Sequence, residues 1–325
     1  MTLIEGAAQH GFTAGAAFVG PDTAAEVAVI IVTYNSAADI DSLITSLRRE
    51  AKQTRLRVIV ADNHSADGTL EIVGLHSDVI GFSTSGNIGY AAGINAARQH
   101  LGDAESVLIL NPDLVVEPGA VRALLDRVEY SAAGVVVPRI LEDSGATYES
   151  LRREPTLTRA IGDALFGSRF TSRPGWLSEM VYDEGASYGT AHVVEWATGA
   201  ALLIRRDVAD LVGGWDERFF LYSEEVDYFR RVRDAGEVVW FDPEAVVRHS
   251  QGGSGTSTAL MALMTVNRIR YIEKGHGAVY TAAYRAAVVL HELLRSYQPA
   301  HRTSLGFVAN RKTWRFLPRA TGAVE

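Results

Sequence analysis

Between residues 27 and 138, short unbroken apolar runs alternate with stretches whose apolar side chains recur at helical spacing. The runs cover 27–32, 56–61, 79–83, 106–110 and 135–138. A strand without polar–apolar alternation has both faces covered, as in a sheet with helices on either side. The intervening stretches fit helices. Residues 38–50 carry Ile40, Leu43, Ile44 and Leu47 on one face, 67–75 and 89–101 follow, and 118–129 opens with Pro118 at a first-turn position. Such alternation requires crossover connections, so an α/β protein with a mainly parallel sheet is expected. Sheets of this kind hold ligands beyond the carboxyl ends of their strands, which directs attention to the loops that follow each run.

Beyond residue 138 the pattern is less regular. Residues 152–173 mix helix-like and flexible character, 192–198 and 200–205 read as strands, and 224–234 as an amphipathic helix closed by Gly236. Short strands are expected at 238–241 and 246–248, then two helices at 258–273 and 277–296, separated by Gly275 and Gly277. The first 25 residues have no basic segment ahead of the apolar stretch 12–20, so a loose leader is expected there rather than a signal peptide. No uncharged apolar run reaches the ~18 residues that a membrane-spanning helix needs.

The 325 residues include no cysteine. That excludes disulfides, thiolate-bound zinc, iron–sulfur clusters and thiol nucleophiles, and it fits a reducing, cytoplasmic setting. The net charge of −8 argues against a nucleic-acid partner. From residue 259 onward, ten Lys/Arg stand against three Asp/Glu, a net of +7 that leaves −15 on residues 1–258. The basic tail has two open explanations, a peripheral contact with anionic lipid and a homodimer interface. Eight of the ten, Lys274, Arg285, Arg295, Arg302, Arg311, Lys312, Arg315 and Arg319, are the candidates to meet lipid head groups.

Several clusters fall where chemistry is expected. Asp62 and Asn63 follow the second strand, where a carboxylate can bind a base or ribose, or simply form a turn. Asn111, Pro112 and Asp113 follow the 106–110 strand at the same sheet edge. A diphosphate beside Asp113 calls for a divalent cation to offset repulsion, although Asn-Pro-Asp is also ordinary turn chemistry. Residues 85–93, with Asn87 and Gly89, form a small-residue turn into a helix, and match neither a dinucleotide fingerprint nor a P-loop. Glu224, Glu225 and Asp227 open a helix whose dipole favours them, yet the apolar run Phe219–Tyr222 before them can raise a carboxylate's basicity for general-base work. His249 ends a strand and precedes the glycine-rich 251–255, which either closes over a ligand or serves as a linker.

In this order and spacing, the pieces resemble glycosyltransferase family 2, with its GT-A fold, over about residues 27–255. The segments that carry it are VIIVTYNS at 29–36, ADNHSADGT at 61–69, GNIGY at 86–90 and LNPD at 110–113. TGAALLIRR at 198–206 and GGWDERFF at 213–220 complete the set. Within the family, the sequence is similar to bacterial rhamnosyltransferases and galactofuranosyltransferases of cell-envelope glycan assembly. The resemblance implies a Rossmann-like sheet flanked by helices with a C-terminal helical extension. It divides the chain into a leader (1–25), a GT-A domain (26–256, nucleotide half 26–138 and acceptor half 139–256) and a basic helical region (257–325).

The resemblance also implies an inverting, Mg²⁺- or Mn²⁺-dependent transfer from a nucleotide sugar to a hydroxyl. L-rhamnose from dTDP-rhamnose is the foremost donor, and a UDP-sugar (galactofuranose, N-acetylglucosamine or glucose) the alternative. The implied acceptor is a glycan or a polyprenyl-diphosphate-linked sugar, reached from the cytoplasm or the inner face of the membrane. By analogy, Thr33, Tyr34, Asn35, Asp62, Asn63, Asn87, Gly89, Asn111, Pro112 and Asp113 surround the nucleotide sugar. Asp113 and His249 match metal ligands, and Glu225 the base, with Glu224 beside it and Asp227 in reserve. Trp196, Thr198, Gly199, Trp215 and Tyr222 are candidates for the acceptor side. Two positions depart from the family pattern. Asn111 opens the D-x-D-type motif, and Glu224–Glu225 stands where Glu-Asp is usual. Other classes fit less well. An S-adenosylmethionine- or dinucleotide-dependent enzyme could use Asp62, but Thr33–Ser36 replaces the glycine fingerprint, and a non-catalytic sugar-nucleotide binder would not need the carboxylate set.

Overall fold

The computed structural model describes residues 16–167, 170–182, 184–249 and 257–319. The first half runs β1 (Val27–Thr33), α1 (Ile40–Glu50), β2 (Leu56–Asp62), α2 (Thr69–Gly74), β3 (Ile80–Ser83), α3 (Tyr90–Ala97), β4 (Ser106–Leu110), β5 (Leu114–Val116), α4 (Ala120–Ser131) and β6 (Val135–Leu141). The second runs β7 (Leu151–Arg152), α5 (Leu157–Phe166), α6 (Glu184–Ser187), β8 (His192–Val193), β9 (Trp196–Ala197), β10 (Ala201–Arg205), α7 (Arg206–Val212), α8 (Glu224–Asp234) and β11 (Val239–His249). Three helices follow, α9 (Thr258–Gly275), α10 (Ala278–Leu294) and α11 (Pro299–Ala309).

The sheet order is β3-β2-β1-β4-β10-β6-β11-β5, with β8 also on β11. The four strands from β3 to β4 are parallel, as is the β6–β11 pair. Strand β10 enters antiparallel between β4 and β6, and β5 and β8 pair antiparallel with β11, so the second half is mixed. The unbroken apolar runs have the cause expected of them. Ala28, Ile30 and Val32 of β1 face one core, with α3, α8 and α9–α11, whereas Val27, Val29 and Ile31 face the other, with α1 and α4. Every residue of β1, β2 and β4 is buried. With no wet face, these strands leave no position for alternating polar residues.

Differences from the sequence expectations have local reasons. The chain is fastened from residue 18 rather than loose to 25. Phe18 N–H donates to Asp78 at 2.9 Å, and the Arg57 guanidinium, in the buried interior, donates to the carbonyls of Gly20, Pro21 and Thr23. Pro118 does not open α4, because Gly119 stands between them in a left-handed conformation (φ 86). The two short strands expected around Pro243 are one strand, β11, whose pairing shifts register between Asp242 and Val246. A proline, lacking an N–H, is accommodated at such an irregularity. Much of the basic tail's charge is engaged internally. Lys274 pairs with Asp216 and Asp227, and Arg311 with Glu273. Arg285 and Arg295 donate to backbone carbonyls. No helix among the described residues is long and apolar enough to cross a membrane.

Register brings the chemistry to one edge. Thr33 pairs with Asp62 at the ends of β1 and β2. Ala201, starting β10, pairs with Leu110, ending β4, so Thr198 and Gly199 arrive beside Asn111. His249, ending β11, pairs with Leu114, which sets it beside Asp113.

Candidate active site

Three loops at the carboxyl edge are tied to one another. The Thr33 hydroxyl donates to Asp62 Oδ1 at 2.8 Å, and Ser65 donates to both oxygens of the same carboxylate, through N at 2.9 Å and Oγ at 2.5 Å. Asn35 holds φ 54 while its Oδ1 accepts the Ala66 N–H at 2.8 Å. Asn63 Nδ2 donates to the Gly89 carbonyl at 3.0 Å, and Asn87 Oδ1 accepts the Gly89 N–H at 3.2 Å. Tyr34 is 53% exposed at this edge. Asp62 is therefore an organiser of the loops, which sequence alone left open as a turn former or a ligand contact.

Gly89 joins these loops to the α8 side. Its φ of 89 with ψ 171 is nearly exclusive to glycine, and an added Cβ would meet the Phe220 carbonyl oxygen at 2.5 Å. Gly89→Ala is expected to lower unfolding free energy by at least about 2 kcal/mol, measured by urea denaturation. A change under about 0.5 kcal/mol would contradict the strained contact.

A cleft of about 760 Å³ opens from this edge toward α8 and α9. Asn111, Trp196, Thr198, Gly199, Tyr222, Glu224, Glu225 and His249 all line it. Glu225 packs against Gly199, where a Cβ would lie 3.2 Å from Glu225 Cβ. Burial lifts the Glu225 carboxyl to about 7. Burial, and then the charge of Glu225, hold Glu224 well above the ordinary carboxylate range. One oxygen of each, Oε2, is buried without a hydrogen-bond partner among the described residues. Asp113, itself not part of the cleft wall, has its Oδ2 3.3 Å from Nε2 of His249, which does line the cleft. Burial raises the Asp113 carboxyl while the facing imidazole works against that rise. The donor chemistry, a carboxylate beside an imidazole, suits a divalent cation. Asn111 is turned to another task, since its Oδ1 accepts the Tyr90 hydroxyl at 2.9 Å. Tyr90 itself is kept neutral by burial and by the nearby charges of Glu224, Glu225 and Asp113, so it remains a donor.

Two candidates lie elsewhere. Asp227 is buried, with Oδ2 accepting from Arg231 at 2.8 Å and Oδ1 from Lys274 at 2.5 Å, and it is not part of the cleft wall. Both oxygens are engaged by cations, so its geometry is that of an anchor between α8 and α9 rather than a reserve base. Trp215 is stacked on Tyr228 with ring centroids 4.3 Å apart, inside the core and off the cleft. Trp196 does reach the cleft, its Nε1–H fixed on the Arg153 carbonyl at 2.9 Å. Pro112 carries the chain from β4 into β5. The inner wall holds residues that no motif flagged, including Arg152, Tyr271 and the Arg268–Glu179 pair at 2.5 Å. Arg268 and Tyr271 come from α9, Arg152 from β7 and Glu179 from the segment between α5 and α6, none of them within a recognisable motif. The 251–255 segment lies outside the described residues.

A profile described as glycosyl transferase family 2 matches residues 28–209. The chain belongs to that family. It is a glycosyltransferase, and the dinucleotide and S-adenosylmethionine alternatives fall away. The N-acetylglucosaminyl-diphospho-decaprenol L-rhamnosyltransferase of Mycobacterium tuberculosis is 32% identical over 238 residues, 70% of this chain and 76% of that protein. The rhamnosyltransferase WbbL of Escherichia coli is 24% identical over 225 residues, 67% of this chain and 80% of its own. Among solved structures, the mannosyltransferase PcManGT of Pyrobaculum calidifontis, in complex with GDP-Man and Mn²⁺, superposes with a TM-score of 0.51 at 17% identity, covering 91% of this transferase and 79% of that chain. GalNAc-T7 with UDP, GalNAc and Mn²⁺ gives 0.55 at 14% identity, over 77% and 48%. These structural likenesses establish the GT-A fold of the transferase.

Proposed function

We propose that this glycosyltransferase is inverting, and that it moves L-rhamnose from dTDP-rhamnose to a hydroxyl of a polyprenyl-diphosphate-linked acceptor in cell-envelope polysaccharide synthesis. The observation that carries the mechanism is Glu225, a carboxylate lifted to about 7 by burial, in the cleft that His249 also lines, with Asp113 Oδ2 3.3 Å from that imidazole. The donor and acceptor follow the names of the two rhamnosyltransferase relatives. Residues 26–256 form the catalytic unit in this reading, and 257–325 the basic helical region that follows it.

Glu225 accepts the proton of the acceptor hydroxyl as that oxygen attacks the anomeric carbon. The new C–O bond forms on the face opposite the bond to phosphate, which breaks, and the electron pair leaves with the nucleoside diphosphate. One displacement needs one base and inverts the centre. Asp113 and His249 would hold a divalent cation, Mg²⁺ or Mn²⁺, which when bound neutralises charge on the departing diphosphate. Thr33, Tyr34 and Asn87 border the nucleotide in this arrangement, with Asp62 holding their loops. Trp196 and Tyr222 offer the acceptor apolar faces.

A thermal-shift panel with dTDP, UDP and GDP, each with Mn²⁺ and with chelator, tests the donor class. A ligand that favours the native state raises the melting temperature by mass action, about 2.7 kcal/mol at a hundred times Kd. The expected result is a Mn²⁺-dependent shift greatest with dTDP. A shift greatest with UDP moves the donor to a UDP-sugar. Shifts indifferent to metal would overturn the metal-assisted reading. Turnover with dTDP-rhamnose then separates an enzyme from a non-catalytic binder.

A further inference from the structure

The segment that delivers Glu224 and Glu225 has an unusual backbone. Phe220, Tyr222 and Ser223 all have left-handed φ values, 63, 68 and 71, and none is glycine. Side-chain-bearing residues avoid this region, so three within four positions require outside support. The support comes from α9. Asn267 is wholly buried, and its Nδ2 donates to the carbonyls of Phe219 at 2.7 Å, Leu221 at 2.9 Å and Tyr222 at 3.0 Å. Two amide hydrogens serve three acceptors, so at least one bond is shared. The amide's orientation is set from the other side, where Asn267 Oδ1 accepts Arg270 Nη1–H at 2.9 Å. The loop has a second tether at Phe220, whose carbonyl accepts the Tyr90 N–H at 2.6 Å.

Asn267 is not part of the cleft wall, and α8 begins at Glu224, directly after the segment it gathers. Without its donors, three carbonyls would lose their buried partner and the left-handed turn would be free to relax. Relaxation at Ser223, the N-cap, rotates the first turn of α8, and with it both carboxylates. We infer that Asn267 is the positioning residue for the base, acting from the C-terminal helices through the left-handed turn. This rests on Glu225 as base. It also gives the C-terminal helices a part in catalysis, since they supply the residue that fixes where the base stands.

The test compares the full-length chain with Asn267→Ala, Asn267→Asp, Glu225→Gln and the Asn267→Ala/Glu225→Gln double variant, measuring kcat, donor KM and the melting temperature. Asn267→Ala is expected to lower kcat by about 10- to 100-fold, the scale of a displacement of about 1 Å in a reacting group, with donor KM within about threefold. In the Glu225→Gln background the same change should cost less than about threefold, because both substitutions act through one carboxylate. Asn267→Asp keeps the shape but loses the donors, and should reproduce the loss. It carries the test if the alanine variant does not fold. Near-normal kcat in either folded variant, or an equal fold-loss with and without Glu225, would overturn the inference. If neither variant folds, Arg270→Ala, which leaves Asn267 in place but removes its orienting donor, must still lower kcat severalfold, and unchanged turnover there overturns it. Full turnover in Glu225→Gln alone would instead remove the base assignment on which the inference stands.

Discussion

Glu225→Gln is expected to lower kcat by about 10²- to 10⁴-fold while leaving the Mn²⁺-dependent affinity for nucleotide within about threefold. The amide has the carboxylate's shape, so the contact with Gly199 and the wall of the cleft should survive. What it lacks is the capacity to take a proton. The pH profile supplies an independent check on the intact enzyme. Burial raises the Glu225 carboxyl to about 7, so the group is protonated and idle below that pH and becomes competent as pH rises through it. The rate should therefore fall about tenfold per unit on the acid side. Burial and the charge of its neighbour raise the Glu224 carboxyl as well, so the acid limb reports the titration of the two carboxyls together. A Glu225→Gln enzyme with near-normal turnover, or a flat profile between pH 5 and 8, would place the base elsewhere.

The legibility of this fold in its sequence follows from how each element is buried. Strands β1, β2 and β4 are enclosed on both faces, so their apolar runs announced them. Helix α8 was readable to the residue, since its carboxylates, its apolar face and Gly236 mark both ends. Strand β5 is three residues long, too short for any period to register, yet it sets Leu114 opposite His249 and so builds the Asp113–His249 pair. Helix α11, beyond the two helices expected after residue 257, is marked in the sequence by Pro299 in its first turn. The motif residues Asn111, Thr198, Gly199, Glu224, Glu225 and His249 border one cleft. Arg268 and Tyr271 of its wall, and Asn267 behind it, sit on a helix whose sequence carries no motif to single them out. Trp215 and Asp227 stand off the cleft for the converse reason. A large aromatic next to a motif and a carboxylate on a catalytic helix can each serve the core, and only the stacking on Tyr228 and the pairing with Arg231 and Lys274 reveal it.

Asp113→Ala should separate function from stability in the opposite sense to a core substitution. The transferase is expected to lose the part of the nucleotide thermal shift that depends on Mn²⁺, and to lose turnover by about 10³-fold or more. Its unliganded stability should hold or rise. The reason is the environment of Asp113, where burial raises its carboxyl above the ordinary value and the His249 imidazole only partly opposes the effect. A carboxyl whose folded-state pKa exceeds its unfolded value weakens the fold as pH climbs through that interval, since the native state must surrender a proton it prefers to keep. Removing the group removes that penalty. The native enzyme should therefore gain stability relative to Asp113→Ala as pH falls, and be the less stable of the two at neutral pH without metal. Such a trade, stability given up to hold a charge where a ligand needs it, is the mark of a binding carboxylate rather than a structural one. Urea unfolding of both proteins across pH, alongside Mn²⁺ titration with nucleotide, reads both arms. An unchanged Mn²⁺-dependent shift in the variant would exclude Asp113 as a ligand. A large loss of unliganded stability would instead show that the Asp113–His249 contact is a structural pair holding β11 to the β4–β5 turn.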